Sequence, residues 1–281
     1  MPRPLAVVEP AFQSNGPYNH MKIATWNVNS IKARLPNALQ WLKQEQPDIA
    51  CLQELKCVDD AFPLLEIEEL GYNVAVHGQK TYNGVAILSK LPFDEVSNGL
   101  PGDESDEQAR YVEASISMPQ GALRVASIYL PNGNPVETPK YEYKLAWMDR
   151  LIEHTKTLLS YEEPLVLAGD YNVIIGNEDC YNPEAWRGDA LFRPETAKRF
   201  QNLVNLGLTN SFKACNAQGN LYSFWDYQAG AWAKDNGILI DHLLLSPQAA
   251  DKLRTSEIDK FTRGWERPSD HVPVWIELDM G

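Results

Sequence analysis

Residues 165–172 read LVLAGDYN: an apolar run suited to a buried strand, a glycine, and then Asp170 and Asn172 at the strand's end. A packed sheet hides the apolar part of such a segment and delivers the polar end to an open edge. The same design recurs along the chain. Asn27 and Asn29 follow KIATW (residues 22–26), Glu54 follows IACLQ (49–53), and Tyr129 ends LRVASIY (123–129) with Asn132 three residues on. Asp241 sits inside ILIDHLLLS (238–246), and Asp270 and His271 precede VPVWIEL (272–278).

Outward from these segments the pattern predicts strands over 22–26, 48–52, 74–76, 85–88, 112–117, 123–129, 165–168, 238–245 and 272–278, with turn formers such as Asn83-Gly84, Pro101-Gly102 and Asn132-Gly133 between them. Helical patterns fill 36–44, 141–159 and 195–205. The second places Leu145, Met148, Ile152 and Leu159 on one stripe, and the third offers Phe200, Leu203 and Val204. Strands outnumber helices and many neighbours read as antiparallel, so the fold class is a layered α/β arrangement with helices covering stacked sheets. No linker, repeat or low-complexity stretch interrupts residues 21–281, which predicts one domain there after a flexible Pro-containing tail at 1–20.

Composition narrows the function classes. With 44% hydrophobic and 22% charged residues the chain can bury a sizeable core, and no apolar run approaches the roughly 20 residues needed to span a bilayer. The four cysteines form no CxxC pair, which points to a reduced, cytoplasmic protein. The net charge of −13 argues against a conventional nucleic-acid binder, whose affinity rests on a basic footprint. It still permits an enzyme whose acids bind metal and whose basic residues share one face.

Asn and Asp are common at strand ends simply because they make turns, so no single one of these residues decides anything. Asp241 is harder to dismiss, because a carboxylate among apolar residues needs a partner, and a histidine suits it. The six sites together fit phosphodiester hydrolysis. A hard divalent ion takes oxygen ligands, and Mg²⁺ typically uses one or two carboxylates plus water and phosphate. Glu54 and Asp270 supply carboxylates, with Asn27 or Asn29 nearby. Asp170 or His271 could activate water, and Asn172 and Tyr129 could steady the phosphate. Neither a zinc-type Cys/His cluster nor a Gly-rich nucleotide loop offers an alternative.

The ordered segments TWNVNSIKAR (25–34), QPDIACLQELK (46–56), LGYNVAVHGQKTYNGVAILSK (70–90), YLPNGN (129–134), LAGDYN (167–172), YSFWDY (222–227), IDHLLLS (240–246) and RPSDHVPVW (267–275) resemble the exonuclease III family of AP endonucleases, within the exonuclease–endonuclease–phosphatase superfamily. The resemblance spans residues 21 to 278. It implies a four-layered sandwich, two mainly antiparallel sheets packed face to face between helices, with the active site at one end. It implies a metal site of Asn27, Glu54 and Asp270, extended by Asp170, Asn172 and His271, that holds Mg²⁺ with Mn²⁺ as a substitute. Asp170 and Asn172 would orient water and phosphate, Tyr129 would contact the phosphate, and Asp241 would align His271. Phe224, Trp225, Ile238 and Ile240 match the pocket for a flipped-out sugar without its base; the competing reading of Trp225 is core packing. Asn132, Lys80 and Lys234 fall among substrate contacts, the two lysines in the DNA-binding loops that the resemblance places at 80–83, 186–193 and 232–236. Leu55, where threonine is frequent, and Pro135, where some relatives carry an arginine, depart from the pattern.

The activity so implied is Mg²⁺-dependent cleavage of double-stranded DNA 5′ to abasic sites, with trimming of 3′-blocked ends and 3′–5′ exonuclease action, by a monomer in the cytoplasm and at the bacterial nucleoid. The rivals are another phosphoesterase of the superfamily, such as a nonspecific nuclease or small-phosphoester phosphatase, and a non-catalytic DNA-binding relative. The nuclease rival would bring a second active-site histidine, which has no counterpart here; the non-catalytic one would lack a metal carboxylate or His271.

Overall fold

The computed structural model describes residues 20–119 and 121–281, so the tail expected at 1–20 lies, except for His20, outside the described residues. Twelve strands form two six-stranded sheets. The first contains β1 (His20–Asn27), β2 (Ile49–Gln53), β3 (Asn73–His77) and β4 (Val85–Ser89). The second contains β5 (Glu95–Asn98), β6 (Tyr111–Met118), β7 (Gly121–Tyr129), β8 (Leu165–Asp170), β9 (Thr209–Asn210) and β10 (Asp241–Leu245). The chain then returns to the first sheet as β11 (Leu253–Ile258) and β12 (Val274–Asp279). The orders are β11-β12-β1-β2-β4-β3 and β5-β6-β7-β8-β10-β9.

The two sheets share one plan. A parallel pair sits at the centre of each, β1 with β2 and β7 with β8, and every other pairing is antiparallel. Strand alternation then assigns each residue to a layer. Met21, Ile23, Val166, Ala168, Leu243 and Leu245 point between the sheets and build the central core. Their neighbours point outward. Trp26, Ala50 and Leu52 pack beneath the helix Leu35–Glu45, and Ala126, Leu165 and Leu167 beneath the helices Pro139–Leu159 and Pro194–Val204. These are the four layers expected.

Three strands escaped the pattern. β5 is exposed throughout, β9 has two residues, and β11 (LRTSEI) is an edge strand with one buried residue. Edge strands bury little, so apolar alternation does not mark them. The stripe of the 139–159 helix is also out of phase with expectation. Its buried face is Tyr141, Lys144, Trp147, Met148, Leu151, Thr155 and Leu158, while Leu145, Ile152 and Leu159 are only partly buried. Counting apolar residues missed the true phase because two positions on that face, Lys144 and Thr155, are polar. Among the described residues, no helix is long and apolar enough to cross a membrane.

Candidate active site

The layer that builds the core also builds the site. Residues of the inward face run on past the apolar positions at one end of the sandwich. There they turn polar, first as a buried relay in which Thr25 donates to Gln53 (3.2 Å), Gln53 to Ser127 (3.0 Å) and Ser127 to the Leu52 carbonyl (3.0 Å). The next inward residues are Asn27 on β1 and Asp170 on β8. Register sets Tyr129 beside Asp170 and Asp241 across from it on the other side. Both parallel pairs end here, the antiparallel β10 begins here, and the loop carrying Asp270 and His271 arrives just before β12. Topology therefore gathers what the sequence scatters.

The Asn27 amide nitrogen donates to Glu54 (2.8 Å) and to Asp170 (2.9 Å), tying the two sheets together. Its oxygen accepts from the Asn29 backbone N–H (3.0 Å) and so faces away from the carboxylates. Asn27 is thus an organiser of the acids. Asp270 lies outside their cluster: its Oδ1 accepts from the Asn29 side chain (3.0 Å) and from Ser269. Lys56 pairs with Glu54 (2.8 Å) and also donates to Asn29. Just beyond their strands, Glu54, Asn29 and Asn172 hold left-handed φ of 53°, 45° and 49°. Asparagine tolerates that region; glutamate seldom adopts it, and such strain collects at functional sites.

His271 Nδ1 lies 2.9 Å from Asp241 Oδ2, and its Nε2 lies 3.8 Å from Asp170. Ser223 donates to the same Asp241 oxygen, while Asp241 Oδ1 is buried without a partner among the described residues. Burial alone would discharge the imidazole, but Asp241 and then Asp170 outweigh it and raise His271 to about 10. Burial pushes Asp170 up to about 7, with Asp241 and Glu54 adding to the rise against the pull of His271. Burial also opposes ionisation of Glu54, yet Lys56 and Asn27 prevail and hold its carboxyl below the ordinary value. Tyr129 stays a neutral phenol, raised by burial and by Glu54 and Asp170.

Ligand atoms of Glu54, Asp170 and His271 lie within 4.8 Å of one another. Two carboxylates converge there, and one of them, Asp170, is kept from ionising easily chiefly by burial, with Asp241 and Glu54 adding to it. The two carboxylate oxygens suit a hard divalent cation, whose charge would favour ionised Asp170. Asn172 completes the floor: its N–H donates to Asp170 (2.9 Å), its amide nitrogen to the Leu130 carbonyl (2.9 Å), and its oxygen accepts from Asn132 (3.1 Å). A cleft of about 720 Å³ leads away past Glu54, Lys56, Tyr82, Arg110, Tyr129 and Lys140.

Phe224 is partly exposed and meets His271 edge-on, their ring centroids 4.9 Å apart. Ile238 and Ile240 are buried behind it. Trp225 is wholly buried, donates to Asp235 and packs on Trp232, so the core-packing reading holds for it. Lys80 and Lys234 are exposed, and Lys234 reaches the Ala229 carbonyl. The sequence reading missed Lys56 as the partner of Glu54, Ser223 as the second ligand of Asp241, and Lys144, a lysine with no exposed surface whose amino group donates to the Asn172 (2.6 Å) and Asn132 (3.1 Å) carbonyls. A lysine on the buried phase of a helix was the available signal.

Residues 24–271 match the Endonuclease/Exonuclease/phosphatase family. The chain is 33% identical to exodeoxyribonuclease III of Haemophilus influenzae over 272 residues, 92% of this chain and 100% of that protein. It is 33% identical to the DNA repair nuclease APEX1 of Danio rerio, over 92% of this chain and 82% of the relative. A 3′ phosphatase from Neisseria, NExo, solved with a product DNA hairpin, superposes with a TM-score of 0.89 at 40% identity, covering 92% of this chain and 99% of that one. An AP endonuclease from Archaeoglobus fulgidus gives 0.88 at 32% identity, covering 92% and 100%. With the sandwich, the acid cluster and the His271–Asp241 pair in place, the chain belongs to the Endonuclease/Exonuclease/phosphatase family, in its exonuclease III branch, and is a hydrolytic DNA-repair nuclease.

Proposed function

We propose that this nuclease is Mg²⁺-dependent, cuts double-stranded DNA 5′ to abasic sites and trims blocked 3′ ends. The observation that carries the reading is the meeting of Glu54, Asp170 and His271 at one point, with His271 held from behind by Asp241. Glu54 and Asp170 would hold the ion, with the protonated His271 beside it as a donor. Bound there, Mg²⁺ supplies positive charge to a phosphate and Lewis acidity. The chain's own groups divide the remaining work. Asp170, raised to about 7, takes a proton from the attacking water at neutral pH. His271, kept protonated by Asp241, donates to a phosphate oxygen, and the neutral Tyr129 hydroxyl does the same. Phe224 offers an apolar wall to a bare sugar flipped from the duplex, which costs least where the base is missing. Every side chain in this account comes from one chain, so a monomer suffices.

Similarity to a 3′ phosphatase and a 3′–5′ exonuclease, each at 40% identity, supports the trimming activity; similarity to AP endonucleases supports the incision. The test is a cleavage assay on an abasic duplex, a 3′-phosphate nick and an undamaged end, with Mg²⁺ and with chelator. Glu54→Gln should keep the fold and lose at least about a hundredfold in kcat, the order lost when one group that stabilises transition-state charge is removed. Normal turnover by that variant, or by the wild type in chelator, would refute the assignment.

A further inference from the structure

Lys144 sits on the first turns of the helix Pro139–Leu159, on its buried face, and none of its side chain is exposed. A lysine is rarely buried without a carboxylate, yet both of its hydrogen-bond partners are backbone carbonyls, those of Asn172 and Asn132. These two residues belong to different loops, one following β7 and one following β8, and their side chains hydrogen-bond to each other (3.1 Å). Asn172 reaches that position through a left-handed backbone, which its N–H bond to Asp170 shares in fixing. Gly133 has φ +90°, and a Cβ there would come within 2.6 Å of the Lys144 stem, so the loop closes directly over the lysine. A leucine or methionine would fill the helix face without the desolvation that an amino group suffers. A desolvated amino group is thus placed against local stability and toward the loops.

We infer that Lys144 is a positioning residue: its buried amino group clamps the Asn132 and Asn172 loops together and so fixes the amides and Asp170 at the reacting phosphate. The inference rests on the proposed phosphodiesterase reading of this site, and its test separates the two.

Lys144→Met and Lys144→Arg are compared with wild type in three measurements. Thermal unfolding reports the fold. Amide hydrogen exchange reports the clamp, with or without catalysis. Single-turnover cleavage of an abasic duplex reports the chemistry. Lys144→Met should unfold no earlier than wild type, exchange faster at 130–134 and 170–173, and lose about 30-fold or more in kcat with KM within about threefold, since small misplacements of a bound geometry cost up to about a hundredfold. Lys144→Arg, which offers N–H donors to both carbonyls, should recover part of the rate. In an Asn172→Ala background the Lys144→Met loss should shrink, because part of it passes through the Asn172 amide. Kcat within threefold of wild type, or a loss that adds fully to that of Asn172→Ala, overturns the proposal. If Lys144→Met does not fold, the same criteria apply to Lys144→Gln, whose shorter stem cannot bring its amide N–H groups to both carbonyls. If the wild type cleaves no DNA probe, the phosphodiesterase reading fails instead. The exchange arm then decides the clamp alone, and unchanged exchange in the two segments overturns it.

Discussion

Asp170 has neighbours of both signs, and the balance makes a testable statement about pH. Its carboxyl is shifted up from 3.8 to about 7, chiefly by burial. Between those values the folded protein holds a proton that the unfolded chain has released, so stability falls as pH rises through this window. The His271 imidazole, raised from 6.5 to about 10 against the opposing effect of burial, extends the same sign upward: its contribution is complete below 6.5 and fades toward 10. A divalent cation reverses the trend, because it favours ionised Asp170. In chelator, the melting temperature of the wild type should therefore drop between pH 5 and 8 more steeply than that of Asp170→Asn. Saturating Mg²⁺ should close most of the gap. The measurement is a set of thermal melts of both proteins across that range; identical pH slopes in chelator would show that Asp170 titrates normally. Asp170→Asn should also be severely impaired in cleavage, since the neutral amide cannot take the proton.

At the scale of strands and loops, what was legible in the sequence were ends: apolar runs that close in Asn27, Glu54, Tyr129 and Asp170 mark the rim of a sheet sandwich. Hidden from it was register. Nothing in ILIDHLLLS says that Asp241 lies opposite Asp170, nor that Asp270 turns to Asn29 instead of joining the acids. Long-range pairing decides those contacts, and no local pattern encodes it. The segment YSFWDY shows the same limit. Phe224 and Trp225 are adjacent in sequence, yet their rings face opposite ways: Phe224 toward His271, Trp225 into the core. Truncation should part them. Trp225→Ala should cost about 3–5 kcal/mol, the usual loss for a buried aromatic. Phe224→Ala, on a partly exposed ring, should cost well under that and instead reduce the preference for abasic over undamaged DNA. Side-by-side kcat/KM values on the two substrates, with urea midpoints for both variants, make the comparison. An unchanged substrate ratio in Phe224→Ala would mark that ring as packing only.

Across the whole molecule the net charge of −13 has to coexist with DNA binding. Acidic groups at Asp59-Asp60, Glu66 to Glu69 and Asp103 to Glu107 are mostly exposed, and two of them border the site: Asp106 accepts from Tyr143 of the cleft, and Asp59 from the Gly78 N–H beside the Lys80 loop. The basic rim is thinner than a count of lysines and arginines implies. Lys56 is engaged with Glu54, and Arg187 with Glu184 (2.6 Å), leaving exposed cations such as Lys80 and Lys234 to meet phosphates. Few phosphate contacts mean few released counterions, so log affinity against log salt should slope by only a few units, compared with about ten for a heavily basic binder. Binding is measured with Asp170→Asn in chelator, which keeps the Lys56–Glu54 pair and prevents cleavage. Replacing Lys80 and Lys234 by alanine in that protein should flatten the slope by about 0.9 for each cation that contacts a phosphate. Adding Glu54→Gln instead frees Lys56 for the backbone and should steepen the slope by about the same amount. A steep slope in the parent protein, or no response to either change, would mean that the duplex is held by a surface other than this rim.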